Sequence, residues 1–280
     1  CLDGGCRLGK HIGKYREAYF RSIPIGTFAT KYVPAPGAEG KILERLSDIC
    51  LTMQAKDYLT LPPLLEITDR VELPAPVMRK YKLFERDSVA MFRTDAGNGV
   101  ITAGSAAGLM NKLGQFANGA IYNDDRGVAE VHDEKLERLA EIVEQAQSPV
   151  LVFYQYLHDV ARITARLKGC RVRAYGGEED LRDWNSGSVD VLLAHPSSTA
   201  YGLNMQQGGH YVVWFGTGWN LEHYQQANAR LHRQGQTHPV TCYRLVCTGT
   251  VDELALAAID RKSGTQQGVL DALKQLLGEK

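Results

Sequence analysis

From Pro149 onward the chain repeats one pattern, a short apolar run followed by an amphipathic helix. The clearest runs are Pro149–Tyr154 (PVLVFY), Val189–Ala194 (VDVLLA) and His210–Phe215 (HYVVWF). Runs this short and this apolar are the mark of strands covered on both faces. Arg171–Tyr175 and Val240–Val246 add two further strands, and helical spacing fills the gaps at Asp159–Leu167, Glu178–Trp184, Leu221–His232 and Val251–Lys262. Strands alternating with helices require right-handed crossovers and a parallel sheet. In such a sheet, ligands meet the loops beyond the carboxyl ends of the strands.

Residues 1–130 read differently, as an irregular and mostly helical unit. Residues 1–21 are Gly-rich and then basic, and residues 22–75 mix short extended pieces with Pro and Gly. Ile42, Leu46, Ile49 and Met53 place an amphipathic helix over Ala38–Met53, ended by Pro62 and Pro63. Leu65–Leu73 alternates as a strand. Pro76 opens a helix that carries its apolar period through Val77–Phe92, before a Gly97-Asn98-Gly99 turn. Ile101–Ala117 is a further helix, Tyr122–Gly127 a polar loop and Asp133–Gln147 a charged amphipathic helix.

The loops after the apolar runs hold the residues suited to chemistry. Gln155-Tyr156 follows the first run. After VDVLLA comes HPSSTAYGLNMQQGG, with Ser197, Ser198 and Thr199, then Gly202 and Asn204. Hydroxyls and free backbone N–H groups at a strand-to-helix turn bind phosphate, because a helix N-terminus is partly positive. After HYVVWF, Gly216-Thr217-Gly218-Trp219 leads to YQQANARLHRQGQTHP, residues 224–239. The stretch is expected to be helical, and residues three and four apart on a helix share a face, so Gln226, Arg230 and Arg233 are expected on one face. Gly235 then breaks the helix. A guanidinium is permanently charged and forks onto phosphate oxygens. For a lone R-x-x-R, a solvated basic face is the ordinary reading, and the company this one keeps argues for more.

Two local patterns fail on inspection. Gly4–Lys10 spells G-x-x-x-x-G-K, but no apolar strand leads into it and His11 stands where a phosphate-cradling loop needs Ser or Thr. His132–Lys135 is not a D-E-x-H box. Composition narrows the rest. The 280 residues carry 32 basic and 32 acidic side chains, so any nucleic-acid contact must be a local patch. The six cysteines lack metal-ligand spacing and are expected as reduced thiols. No apolar run is long enough to cross a membrane, and no signal peptide is expected from these residues. The chain opens at Cys1, inside a motif-like stretch, and is expected to be a fragment of a longer protein.

In order along the chain, PVLVFYQY, SSTAYGLN and QANARLHRQGQ resemble motifs four, five and six of superfamily-two helicases. The R-x-x-R-x-G-Q ending resembles the SWI/SNF-like branch. LDGGCRLGK with YREAYF, and LMNKLGQFANGAIY, resemble phage and prophage members of that branch, so the likeness spans nearly the whole chain.

The resemblance implies a DNA-dependent ATPase with two RecA-like lobes, ATP and magnesium being held mainly by the first. It makes residues 1–75 the tail of lobe one with connecting segments, 76–148 a helical insertion and 149–280 the second, α/β RecA-like lobe. Residue by residue, Arg233 matches the arginine finger, Arg230 its partner on the phosphates and Gln226 the motif-six glutamine. Gly202 and Asn204 match the motif-five turn, whose Ser197–Thr199 side faces a DNA backbone, and Gln155 matches the polar end of motif four. Ala229, where relatives carry glycine, and His195-Pro196 depart from the pattern. DNA bound without sequence specificity is the implied partner, with a nuclease or recombination factor as a further one. The implied setting is the cytoplasm of a bacterial or phage-infected cell. Two rival readings are a nucleic-acid-binding module without an ATPase role and a partner-docking module.

Overall fold

The computed structural model describes residues 6–25, 29–46, 61–96, 103–123, 125, 127–199, 202–262 and 265–278. The chain forms two compact units, residues 1–60 and 61–280. In the first, helix α1 (Ile12–Tyr19) runs into an antiparallel pair, β1 (Phe20–Ile25) and β2 (Ala29–Pro34), followed by α2 (Ala38–Leu46). Tyr15 stacks near Tyr19 and Phe20, with ring centroids 5.3 and 5.5 Å away, and this aromatic contact seats the helix on the ribbon. The expected helix beyond Leu46 and the Gly97-Asn98-Gly99 turn lie outside the described residues.

The second unit begins with β3 (Leu64–Val71), α3 (Ala75–Ala96), α4 (Ala103–Ala117) and a small hairpin of β4 (Ala120–Tyr122) and β5 (Val128–Glu130). Then come α5 (Glu134–Ala146), β6 (Val150–Phe153), α6 (Leu157–Arg166), β7 (Val172–Ala174), α7 (Glu178–Asn185) and β8 (Val191–Ala194). A short 3-10 turn at Pro196–Thr199 precedes β9 (Tyr211–Trp214), α8 (Leu221–Asn228), β10 (Val240–Cys247), α9 (Val251–Asp260) and α10 (Thr265–Leu277). Six strands make one parallel sheet in the order β3-β10-β9-β6-β8-β7. The expected parallel sheet is therefore present, with one strand more than the runs after Pro149 supply. The added strand, β3, pairs along its whole length with β10, so the expected division at residue 75 falls inside a single compact unit.

Every residue of β6 and β8 is buried, because helices cover both faces of the sheet. Leu151, Phe153, Leu192, Val212, Trp214 and Cys242 point to one face, against Trp184 of α7, Tyr224 and Ala227 of α8 and Ile259 of α9. Val150, Val152, Val191, Leu193 and Val213 point to the other, against Leu136, Leu139 and Ile142 of α5 and Ile163 of α6. Burying each such side chain stabilises the fold by about 1.5–3 kcal/mol before the cost of ordering the chain. The helices α3, α4, α9 and α10 form a third apolar cluster around Tyr81 and Phe116, which meet edge to face at 5.3 Å. Tyr81 also accepts the backbone N–H of Val251 at 2.8 Å, tying α3 to the start of α9.

One helix ends earlier than its periodicity predicts. α8 stops at Asn228 rather than His232, so Arg230 and Arg233 lie on a turn and share no helix face with Gln226. The reason is a contact to β9. The side chain of Asn228 is buried, its Oδ1 accepting from Trp214 Nε1 at 2.9 Å. Past Asn228 the N–H groups of Arg230 and Leu231 reach back three residues, to Ala227 and Asn228, while that of His232 still reaches back four, and Leu231 is buried in the core. Gly235 comes seven residues after the helix has ended, at φ +95°.

A buried ammonium joins the layers beneath the carboxyl ends of the strands. Lys135 is fully buried on α5 and lies 2.6 Å from Asp252 Oδ2 at the start of α9. It donates to Asn118 Oδ1 at 2.8 Å and to the carbonyl of Phe215, just past β9, at 3.0 Å. Burial alone lowers the pKa of Lys135, but Asp252 and its neighbours outweigh that and raise it. Asn118 Nδ2 donates to Asp159 Oδ2, which also accepts the N–H groups of Gln155 and Tyr156 past β6. Lys135→Met strands Asp252 in the interior, and is expected to lower the unfolding free energy by about 3–5 kcal/mol in urea titrations. Adding Asp252→Asn should recover part of that loss.

His132 gives the fold a pH dependence. It is buried, its Nε2 lies 2.9 Å from the carbonyl of Phe116, and burial first, with Lys135 and Arg162 adding, pushes its pKa down from 6.5 to about 4. Between those values the unfolded chain binds the proton and the folded chain does not, so stability falls as pH drops. His132 is expected to contribute its full share above pH 6.5 and to lose up to about 3 kcal/mol by pH 4. Urea midpoints of the wild type and His132→Leu across that range check it, since the wild type should show the steeper fall.

Candidate functional site

The residues singled out from the sequence fall into two clusters on the loops that follow the strands. The first lies past β6, β8 and β9. Gln155 Nε2 donates to the carbonyl of Gly216 at 3.0 Å, joining the end of β6 to the turn after β9. That turn must be glycine-rich: Gly218 sits at φ +64°, and a Cβ there would lie 2.9 Å from Gln155 Nε2. Gln155, Tyr156, His195, Asn118 and Thr217 line a cavity of about 370 Å³.

Ser197 and Ser198 are engaged with His195. Ser197 Oγ is 2.6 Å from His195 Nδ1, and Ser198 Oγ donates to the His195 carbonyl at 2.7 Å. Ser197 is exposed and Ser198 half-buried. The Thr199 side chain lies outside the described residues. Burial first, then the charge of His223 at the start of α8, lowers the pKa of His195, which therefore favours the neutral ring. Of the two described hydroxyls, that of Ser197 is the one this arrangement presents to solvent beside a strand end.

The second cluster joins the loop at 202–209 to the turn at 229–238. Gly202 reverses the chain at φ +77°. Asn204 is exposed, and its carbonyl accepts from Asn185 Nδ2 at 2.8 Å. Arg233 Nη1 donates to the carbonyl of Leu203 at 3.2 Å, and Met205 N–H donates to the carbonyl of Arg230 at 3.3 Å. The pKa of Arg230 is lowered, by burial first and then by the charge of Arg233. Gln226 turns along its own helix, donating to Glu222 Oε1 at 2.9 Å.

Gln236 locks this second cluster together, a role the sequence reading did not give it. It is buried, and its Nε2 reaches the carbonyls of Gln206, Gly209 and Leu231 at 3.2, 3.1 and 3.4 Å. Its Oε1 accepts the N–H groups of Thr237 and His238 at 3.0 Å each. His232 fastens the turn from the other side, its Nε2 lying 2.8 Å from the carbonyl of Pro62. Two half-buried cations held against a carbonyl-rich loop fit the oxygens of a polyphosphate, which would relieve their repulsion. Among the described residues no group of three or more His, Cys, Asp or Glu could hold a metal ion. The described cysteines are free, and among the described residues no helix is long and apolar enough to cross a membrane.

The parallel α/β sheet covered by helices on both faces, with polar loops past the strand ends, is a RecA-like fold. The fold matches the C-terminal lobe of SWI2/SNF2 ATPase domains. The C-terminal part of the Fun30 ATPase domain superposes with a TM-score of 0.56 at 13% identity, over 79% of this chain and 100% of that one. The Sulfolobus solfataricus SWI2/SNF2 ATPase core, solved in complex with dsDNA, gives 0.56 at 20% identity, over 85% of this chain and 56% of that one. These likenesses speak to the fold.

In sequence, the chain is 34% identical to protein p41 of Acyrthosiphon pisum secondary endosymbiont phage 1, over 98% of its own length and 60% of the relative's. It is 36% identical to human chromatin-remodeling ATPase INO80 over 86 residues, which are 31% of this chain and 6% of that one. No protein-family model matches. The chain thus resembles SWI/SNF-like helicases in both sequence and fold, and spans about 60% of the phage relative.

Gln236→Leu would leave three carbonyls and two N–H groups without their partner. We expect a loss of about 2–3 kcal/mol and faster amide exchange confined to residues 203–209 and 231–238, read by exchange mass spectrometry.

Proposed function

We propose that the chain is the C-terminal part of a SWI/SNF-type, DNA-dependent ATPase and translocase. In this reading its second RecA-like lobe supplies arginines to ATP hydrolysis on a first lobe and grips the DNA backbone with its loops. The observation that carries the reading is that Arg230 and Arg233 stand on one turn bonded to the loop that Gln236 locks, Arg233 through the Leu203 carbonyl and Arg230 through the Met205 N–H. Bound ATP with Mg²⁺, held mainly by the first lobe, would supply the phosphoryl group and the divalent charge.

Phosphoryl transfer needs positioning and charge neutralisation more than covalent help. Arg233 is the finger in this scheme and Arg230 its partner. In the present structure Arg233 Nη1 rests on the carbonyl of Leu203, so engaging a phosphate means exchanging one oxygen for another rather than exposing a buried charge. Gly202 and Asn204 adjoin Leu203 in the same loop, and Gln226 is the polar side chain of the preceding helix in this scheme. Closure of the lobes would then gate hydrolysis. Gln155 and the Ser197–Thr199 turn would meet DNA phosphates, and such contacts carry no sequence information. A nuclease or recombination factor could dock on the helical part without changing this chemistry.

In the full-length protein, Arg233→Ala is expected to cut DNA-stimulated ATPase by about 10³-fold or more, while nucleotide and DNA affinity change little. Arg233→Lys should restore little, because an ammonium lacks the planar fork. Thermal melts of each variant control for folding. Near-normal turnover by folded Arg233→Ala would favour a DNA-binding module without an ATPase role.

A further inference from the structure

The chain as a whole is neutral, but its charge is unevenly placed. Residues 6–46 hold eight Lys and Arg against three acids, Glu17, Glu39 and Glu44. The antiparallel ribbon β1–β2 sorts part of that excess onto one face. Side chains alternate along a strand, so Arg21 and Ile23 share a face. The register sets Val33 opposite Arg21 and Lys31 opposite Ile23, placing Lys31 on that same face. Arg21, Ile23 and Lys31 are exposed, Ile23 by 47%. The other face carries Tyr32, 41% exposed, with the Arg16 guanidinium 4.5 Å over its ring. That contact holds a third cation at the ribbon, in a fixed place.

We propose that this ribbon is a second nucleic-acid contact, in which Arg21 and Lys31 bind backbone phosphates of duplex DNA and the Arg16–Tyr32 stack adds positive charge on the opposite face. Charge complementarity selects the partner. The ribbon offers cations on exposed strands with no carboxylate on the Arg21 face, and DNA is a polyanion with regularly spaced phosphates. A two-stranded ribbon is also narrow enough to follow a DNA groove. The inference rests on the proposed DNA-binding function but uses none of the residues assigned to it above. It also gives a chain of zero net charge a local excess of cations with which to hold DNA, since residues 1–60 carry nine Lys and Arg against six acids.

The test is the salt dependence of binding to labelled duplexes of unrelated sequence, using the whole chain between about 50 and about 200 mM salt. Arg21→Gln/Lys31→Gln removes two cations from the ribbon. Lys82→Gln/Arg86→Gln removes two from α3 and serves as the control. Loss of two phosphate contacts lowers the slope of log K against log salt by about 1.8, so the variant's affinity falls about twelvefold less across that salt range. We expect this for the ribbon variant, with the control keeping the wild-type slope. An unchanged slope in the ribbon variant, or equal changes in both variants, overturns the inference while leaving the proposed function standing. A wild-type chain that binds no duplex at all would instead count against DNA binding itself. Far-ultraviolet circular dichroism confirms that each variant is folded, and Lys31→Gln alone, with an expected slope change of about 0.9, stands in if the double variant is not.

Discussion

The ammonium of Lys135 sits where four parts of the chain converge. It is bound to Asp252 at the start of α9, to Asn118 at the end of α4 and to the carbonyl of Phe215 past β9. Through Asn118 it reaches Asp159, and through Asp159 the backbone of Gln155 and Tyr156 past β6. A charge in the interior is costly unless its donors are used, and here acidic, amide and carbonyl oxygens surround it. The loops at the carboxyl ends of β6, β9 and β10 are therefore registered against one another by a single group. Arg162 extends the same network, donating to the carbonyls of Asn118 and His132. The polar loops above can present side chains outward because their backbone is fixed from below.

The second cluster is built on the opposite principle. Arg230 and Arg233 stand on a turn, held by hydrogen bonds to carbonyls and by the amide of Gln236 rather than by a helix. A helical face would fix both guanidiniums at one spacing. A turn secured by a few side-chain bonds can move them without breaking an i→i−4 ladder. Seating the same residues by a loop clamp keeps them ordered at low cost and leaves them free to change partner.

Much of this was legible from the residues. PVLVFY, VDVLLA and HYVVWF became β6, β8 and β9 with their surroundings, because runs of that length and apolarity have few other uses. What local pattern could not see was long-range. Apolar period alone carries α8 to His232; only the bond from Trp214 to Asn228 and the burial of Leu231 end it at Asn228. The hairpin of β4 and β5, at the edges of the expected polar loop, is too short for alternation to reveal. Lys135 left one clue: it stands on the stripe with Leu139, Ile142 and Ala146, an apolar face where a charge is out of place. Gln155 and Ser197 could be placed at strand ends from the sequence, but not their bonds to Gly216 and His195, which are set by elements far apart in the chain.

β3 carries a consequence for how the molecule is made. Its sheet neighbour is β10, about 175 residues further along, and β10 in turn separates it from β9. The first strand of the sheet to leave the ribosome thus has no sheet partner until the last has emerged. At about 5–20 residues per second that interval is roughly ten to thirty-five seconds. Throughout it Leu65 and Ile67 belong to a strand with two open edges, the state most exposed to wrong pairing. The order of synthesis, more than the final contacts, makes β3 the part of this sheet most dependent on protection while the chain is being built.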